Sequence, residues 1–334
     1  MAMSLLDALP HAIEVEGLER EFKGGIRAVD GLDLAVSSGE IYGFLGPNGA
    51  GKTTSVRILT TLLRPTAGRA RVAGHDVVSE PDRVRRQIGV ALQEAAIDPL
   101  MTGRELLRMQ GALHGLRGSE AKARAADLLE RVGLTLAGDR RVGGYSGGMR
   151  RRLDLALALV HRPPVLFLDE PTTGLDPTSR AALWREVRSL NRDGTTVFLT
   201  TQYLEEAEQL ADRVGIIAAG QLVDEGTPDD LKARVGEPTL HVELADPASA
   251  PRARAALARL GRLAPADPAA PCRVALRAPA GKGAIAPAIR VLDEAGVEVD
   301  AVEVETPTLD DVFAAVTGSH LEGAAAPAAA AAVA

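Results

Sequence analysis

The stretch Gly46-Pro47-Asn48-Gly49-Ala50-Gly51-Lys52-Thr53 has the spacing G-x-x-x-x-G-K-[ST] of a phosphate-binding loop. Glycines let backbone N–H groups close around phosphate oxygens, and a helix beginning at the loop adds a favourable field for an anion. Lys52 is placed to reach the outer phosphates, and the Thr53 hydroxyl to ligate Mg²⁺. Further along, the apolar run Val165-Leu166-Phe167-Leu168 ends in Asp169-Glu170-Pro171. In a chain with a phosphate loop, an acid at the end of an apolar strand is the usual place for the Mg²⁺-linked carboxylate, which is the role expected of Asp169. The adjacent Glu170 is placed to polarise an attacking water. Between them, Tyr145-Ser146-Gly147-Gly148-Met149 opens a helical pattern. A serine and two glycines at a helix start offer a second set of free N–H donors, suited to another anion. Alone they read equally well as an ordinary N-cap with a flexible approach.

These residues need elements to hold them. Residues 41–45 read as a buried strand, and 54–63 as a helix with Val56, Leu59, Leu62 and Leu63 as its apolar stripe. Strand, glycine-rich loop and helix is the context that the phosphate loop requires. Upstream, 11–18 alternates like a half-buried strand and 27–36 forms a second. Strands at 69–72 and 88–92 flank a short helix at 81–86, and Gln93 ends the later one. From 101 to 137 the pattern is helical, broken by Gly103, Gly111, Gly115 and Gly118, which reads as a helical insertion in an α/β frame. The pattern then gives a helix to Val160, a helix at 178–192, a buried strand at 196–200, a helix at 203–211 and a strand pair at 213–218 and 221–224.

After Pro238, Ala and Pro rise and the strands shorten. Strands at 239–244, 273–276 and 297–304, with helices at 253–260, 285–295 and 309–316, suggest a small α+β domain. No catalytic constellation shows in it. Residues 319–334 are Ala-rich and offer no face to pack, so a disordered tail is expected.

Composition narrows the classes. The 334 residues suit about two domains. No run of about 18 apolar residues exists, so no spanning helix is expected. Residues 1–10 lack the layout of a signal peptide. The single cysteine, Cys272, excludes an internal disulfide and a cysteine-based metal cluster. A net charge of -7 and 3% aromatics argue against a nucleic-acid binder, and the six histidines form no zinc-type pair.

With these motifs in this order, the chain resembles the ATP-binding subunit of an ABC transporter over roughly residues 13–235. The resemblance rests on Gly46 to Thr53, Gln93, Tyr145 to Met149, Val165 to Glu170 and the turn Gly174-Leu175-Asp176. It implies a P-loop NTPase of the α/β class with a mixed sheet core, spanning 11–235, with a helical subdomain at about 95–160 and the small domain at 238–318 appended. It implies ATP and Mg²⁺ as cofactors, with Thr54 continuing the phosphate loop. Phe22 stands where an aromatic stacks on adenine. Gln93 would touch Mg²⁺ or the attacking water and couple the site to a permease. Ser146, Gly147 and Gly148 would grip the γ-phosphate of ATP on a second copy of the chain, and Asp176 would cross that interface. Lys52 and Glu170 would be the catalytic pair of charges, with Glu170 as the base.

There is one departure. Where the family has a histidine after the strand that follows the Asp169 strand, this chain has Gln202. Glutamine can donate a hydrogen bond to phosphate but cannot carry a proton. Gln202, the segment Thr308-Leu309-Asp310-Asp311-Val312-Phe313 and the appended domain look like the daunorubicin-resistance type of drug-exporter ATPase. That branch implies a homodimer at the cytoplasmic face of the membrane, driving efflux of a hydrophobic compound through a separate multi-pass permease. Export of lipid or polysaccharide, and a non-transport ABC ATPase, are the alternatives.

Overall fold

The computed structural model describes residues 11–93, 97–265, 267 and 270–318; the tail expected at 319–334 lies outside them. The strands and helices come in this order: β1 His11–Phe22, β2 Ile26–Ser37, β3 Ile41–Leu45, α1 Lys52–Leu59, β4 Ala67–Val72, β5 His75–Asp76, α2 Pro81–Gln87 and β6 Ile88–Ala91. Then follow α3 Gly103–Leu113, α4 Gly118–Arg131, α5 Gly147–Ala158, β7 Val165–Asp169, α6 Pro177–Arg192, β8 Thr196–Thr201, α7 Leu204–Leu210, β9 Arg213–Ala218 and β10 Gln221–Gly226. The chain continues through α8 Pro228–Val235, β11 Thr239–Leu244, α9 Ala250–Leu257, β12 Arg273–Arg277, α10 Ile285–Glu294, β13 Val299–Glu305 and α11 Leu309–Thr317. Two compact units result: one runs to Pro228 and takes up the chain again from Val316, and the other is Asp229–Ala315.

The larger unit is built on a six-stranded sheet of order β10-β9-β3-β8-β7-β6. β3 pairs in parallel with β8 and β9, β7 with β8 and β6, and only β10 runs antiparallel. The central strands IYGFL, VLFLD and TVFLTT are buried at every position. That is the composition of parallel strands covered on both faces. Alternation sends the two sets of side chains into different cores. Tyr42, Phe44, Phe167 and Phe198 face one way, and the Phe198 ring is stacked on Tyr42 and tilted against Phe44 and Phe167, with centroids 5.4–5.6 Å away. They join α1 and the antiparallel sheet β2-β1-β4-β5 in one core. Ile41, Leu166, Leu168, Val197 and Leu199 face the other way, into a core shared with α3, α4, α5 and α6.

The helix after the phosphate loop is shorter than its apolar period suggests. It stops at Leu59, Thr61 takes a left-handed φ of 65°, and Leu62 stands 59% exposed rather than in the stripe. Likewise 101–137 is α3, α4 and a 3-10 turn at Thr135–Ala137 rather than one helical run. α3 starts on a full capping box: the Thr102 hydroxyl accepts from Glu105 N–H at 3.2 Å, and the Glu105 carboxylate accepts from Thr102 N–H at 2.9 Å. α8 is an element that the sequence pattern does not predict.

A groove of about 470 Å³ lies among α1, α2, β6, α3 and α5, lined by Thr60, Leu62, Arg85, Leu92, His114 and Leu157 among others. In its wall His114, the C-cap of α3, stacks on His161, with centroids 3.8 Å apart and rings parallel within 1°. His161 Nε2 donates to Ile88 O at 3.0 Å, which leaves Nδ1 buried with no partner. A second proton would have nothing to bond, so burial and the neighbouring His114 hold His161 down at about 4. Its folded pKa lies below the ordinary 6.5, so its contribution to stability is present above 6.5 and lost as pH falls towards 4. His161→Phe keeps a stacked ring but cannot titrate. The difference in melting temperature, variant minus wild type, should therefore rise as pH is lowered from 6.5 to 4; a difference flat across that range refutes the titration argument.

The smaller unit has the antiparallel sheet β12-β11-β13. Leu240, Val242 and Leu244 of β11 share a face with Val274, Leu276, Val302 and Val304, and pack on α9 and α10. The opposite face carries Thr239, His241, Glu243, Arg273, Arg277, Glu303 and Glu305, so one side of this sheet is apolar and the other polar.

Candidate active site

Strand order brings distant residues together. β3, β8, β7 and β6 are neighbours running the same way, and their carboxyl ends carry the phosphate loop, Gln202, Asp169-Glu170 and Gln93 respectively. In parallel α/β sheets ligands bind at this end.

The loop from Gly46 to Thr53 is shaped by backbone approach. A Cβ on Gly46 would come within 2.4 Å of Ile217 O, and one on Gly51 within 2.2 Å of Ala28 O, where φ is also +106°. Only glycine fits either position. Gly46 N–H donates to Thr201 O at 3.2 Å, Ala50 N–H to Pro47 O at 3.3 Å, and Gly220 N–H to Ala50 O at 3.0 Å, which pins the loop at its start and its crest. Ser55 N–H is the donor that closes on Gly51 O, at 2.9 Å, so the amides of Lys52, Thr53 and Thr54 lie in the helix's open first turn. Asn48 and Gly49 form the turn before it.

Lys52 is 4% exposed. Its Nζ donates to Gly46 O at 2.7 Å and Pro47 O at 2.9 Å, and lies 3.4 Å from Glu170 Oε1. Burial lowers its pKa, and Glu170 and Asp169 oppose that shift. Glu170 is also buried; its Oε2 accepts from Gln93 Nε2 and from the Thr173 hydroxyl, both at 3.4 Å. Asp169 Oδ1 accepts from the Thr200 hydroxyl at 2.5 Å and the Thr53 hydroxyl at 3.3 Å. Asp169 Oδ2 is buried with no hydrogen-bond partner. A carboxylate oxygen left over beside a threonine hydroxyl is the donor set of a hard cation, and the glycine loop with its open amides suits a phosphate chain, so the residues present fit Mg²⁺ and a nucleotide.

Among the described residues, Lys52, Glu170 and Gln93 form one bonded group and Thr53 and Asp169 another, and the Thr200 hydroxyl joins the two by donating to Asp169 and accepting from Glu170 N–H. Phe22, Gln202, Ser146 and Asp176 make no hydrogen bond or ion pair with these groups. Phe22 is 38% exposed at the end of β1, with the Arg20 guanidinium 4.8 Å above its ring. Gln202 is half-buried and follows Thr201, the residue that anchors Gly46. Ser146 is the N-cap of α5, accepting from Met149 N–H at 3.2 Å, with Gly147 exposed beside it and Gly148 half-buried. Buried Tyr145 fixes the approach by donating to Ala137 O at 2.7 Å. Asp176 is the N-cap of α6, accepting from Ser179 N–H at 2.9 Å and from its hydroxyl at 2.6 Å. Both therefore have a local helix-capping job whatever else they bind.

Sequence reasoning does not find Thr200 or Arg151. Thr200 comes from another strand, and its N–H-accepting hydroxyl and carbonyl both take Glu170 N–H at 3.1 Å. Arg151 is the middle one of three consecutive arginines, and only packing reveals that it turns inward.

The ABC transporter family matches residues 29–173 of this chain. A daunorubicin resistance ATP-binding protein, DrrA3 of Streptomyces coeruleorubidus, is 51% identical across 92% of this chain and 96% of its own length. The doxorubicin resistance ATP-binding protein DrrA of Mycobacterium tuberculosis is 47% identical across 93% of this chain and 95% of itself. Among solved structures, a dimeric ATP-binding cassette in a post-hydrolysis state with ADP and phosphate shares 26% identity at a TM-score of 0.61, covering 64% of this chain and 98% of that one. The ATP-binding subunit of an ABC transporter gives the same TM-score at 27% identity, over 67% of this chain and 92% of its own.

Proposed function

The chain belongs to the ABC transporter ATP-binding family, in the daunorubicin-resistance branch, and from that premise we propose that it hydrolyses ATP to drive efflux of a hydrophobic drug or antibiotic through a separate membrane permease. The observation that carries the chemistry is the cluster of buried Lys52, Asp169 and Glu170 with half-buried Thr53 and exposed Gln93 at the carboxyl ends of adjacent strands. ATP takes its phosphates into the loop from Gly46 to Thr54, where the open amides and Lys52 bind the outer oxygens. Thr53 and Asp169, with Gln93 at the edge, would hold Mg²⁺, which supplies positive charge against the phosphate oxygens. Glu170 orients and deprotonates the attacking water, and Gln202 donates a hydrogen bond to phosphate. Phe22 takes the adenine on its open face.

A second copy of the chain completes each site in this reading. Its Ser146, Gly147 and Gly148 present an exposed helix start for the γ-phosphate, and its Asp176 lies on an exposed turn nearby in sequence to Glu170. The permease is the second partner. No helix among the described residues is long and apolar enough to cross a membrane, and the groove with exposed Leu62 and a floor next to Gln93 supports a docked permease segment. The ATPase unit at 11–235 would thus sit at the cytoplasmic face of the membrane, with 238–318 as an appendage.

The test is drug accumulation in a sensitive host that co-expresses this chain with the permease encoded beside it, with Glu170→Gln as control. Resistance to a particular hydrophobic compound, lost in the control, supports the reading. A working purified ATPase with no drug resistance transfers the proposal to a lipid or polysaccharide cargo.

A further inference from the structure

Arg151 lies in α5, five residues after the Ser146 cap, and its side chain is largely buried. Its guanidinium reaches three backbone carbonyls in two other segments: Nε donates to Pro171 O at 2.9 Å, Nη2 to Asp169 O at 2.7 Å and Nη1 to Leu92 O at 2.5 Å. Asp169 and Pro171 are the residues on either side of Glu170, and Leu92 is the residue before Gln93. Between its two held carbonyls, Glu170 has φ of 46°, a left-handed conformation that a non-glycine residue keeps only where its surroundings enforce it. Asp154, one turn along α5 and also buried, stands 3.3 Å from Nη1 as counter-charge. Burial pushes the Asp154 carboxyl up to about 6, and Arg151 opposes the shift. The flat fork sends its donors from three separate nitrogens in fixed directions, whereas a lysine's three donors all leave one nitrogen.

We infer that Arg151 is a positioning residue that ties the Ser146 helix to the Glu170 and Gln93 segments of its own subunit, so that phosphate gripped at the helix start in one ATP site sets the geometry of hydrolysis in the other. The inference rests on the reading of Glu170 as the base and of Ser146 as a ligand for ATP on a second copy. The cavity of about 210 Å³ lined by Gln93, Gly147, Arg151, Glu170 and Gly174 places both ends of this linkage around one space. A shift of α5 reaches Glu170 and Gln93 through one rigid side chain.

The test is steady-state ATPase of the full chain carrying Arg151→Lys or Arg151→Gln, with Glu170→Gln run in parallel. The lysine keeps the buried positive charge beside Asp154, and so the fold, while giving up the fork. A misplacement of about 1 Å at the base lowers turnover by about 100-fold, and that is the loss expected in kcat for Arg151→Gln, with about 10-fold or more for Arg151→Lys. The KM for ATP should stay within about threefold of wild type, since neither variant touches the phosphate loop. The wild type should depend sigmoidally on ATP and both variants hyperbolically. Full turnover in Arg151→Lys, kcat and affinity lost together, or an unchanged Hill coefficient overturns the inference. If Glu170→Gln still hydrolyses ATP, the base assignment fails instead, and the Hill coefficients still decide whether Arg151 links the sites.

Discussion

Replacing Glu170 by glutamine should leave ATP binding intact and lower hydrolysis by about 100- to 10,000-fold, the range in which a positioned general base contributes. The carboxylate is buried, and its Oε2 is held at 3.4 Å by Gln93 and Thr173. Glutamine has the same shape and keeps hydrogen-bonding capacity, so it can occupy the same place on the same strained backbone without accepting the proton of water. The other phosphate contacts are untouched: the loop amides belong to α1, and Lys52 keeps its bonds to Gly46 O and Pro47 O. Losing one buried negative charge beside Lys52 also frees that ammonium for phosphate, so affinity should hold or rise. In a dimer that closes on ATP, the variant accumulates closed, because the step that reopens it is missing. Phosphate release and sedimentation in the presence of ATP read the two effects separately. Turnover within about tenfold of wild type would remove Glu170 from the base role, since one buried base removed from water chemistry costs more than that.

The parts of the site that show in the sequence are those written in consecutive residues. The phosphate loop needs glycine at Gly46 and Gly51 because backbone carbonyls of Ile217 and Ala28 stand where a Cβ would go, and a constraint of that kind leaves its mark on the residue type itself. The buried strands are legible for the same reason: continuous apolar runs state that both faces are covered. What does not show is anything settled by neighbours far along the chain. Thr200 supports Asp169 only because β8 lies beside β7, and strand order is not encoded in either strand alone. Arg150, Arg151 and Arg152 look alike in sequence; helical geometry points them 100° apart, and one of them meets the carbonyls of Asp169 and Pro171 while Arg152 turns to Val132 O. The end of α1 is hidden by an apolar period that continues through Leu62 after the backbone has turned at Thr61. Ser146 and Asp176 show the opposite limit. Each is a helix N-cap, and that local duty would select the same residue types with no ligand present.

Replacing Lys52 by alanine should weaken ATP binding itself, in contrast to Glu170→Gln. Hydrogen bonds to a charged group are worth about 1.5–3 kcal/mol, so losing the ammonium's contact with the outer phosphates should raise the dissociation constant about 10- to 100-fold. A second effect comes from the fold. Lys52 is the cation 3.4 Å from Glu170 in a buried site that also contains Asp169. Without it, the buried Glu170 carboxylate loses the cation beside it and keeps the neutral donors of Gln93 and Thr173. Removing one partner of a buried ion pair leaves the other charge less compensated and destabilises the fold. The variant should therefore melt at a lower temperature than wild type in the absence of nucleotide, whereas a lysine that served phosphate alone would leave that melting temperature unchanged. Equilibrium binding of a fluorescent ATP analogue and melts without nucleotide separate the lost phosphate contact from the lost counter-charge. Wild-type affinity together with an unchanged melting temperature would show that the ammonium neither meets the phosphates nor balances Glu170.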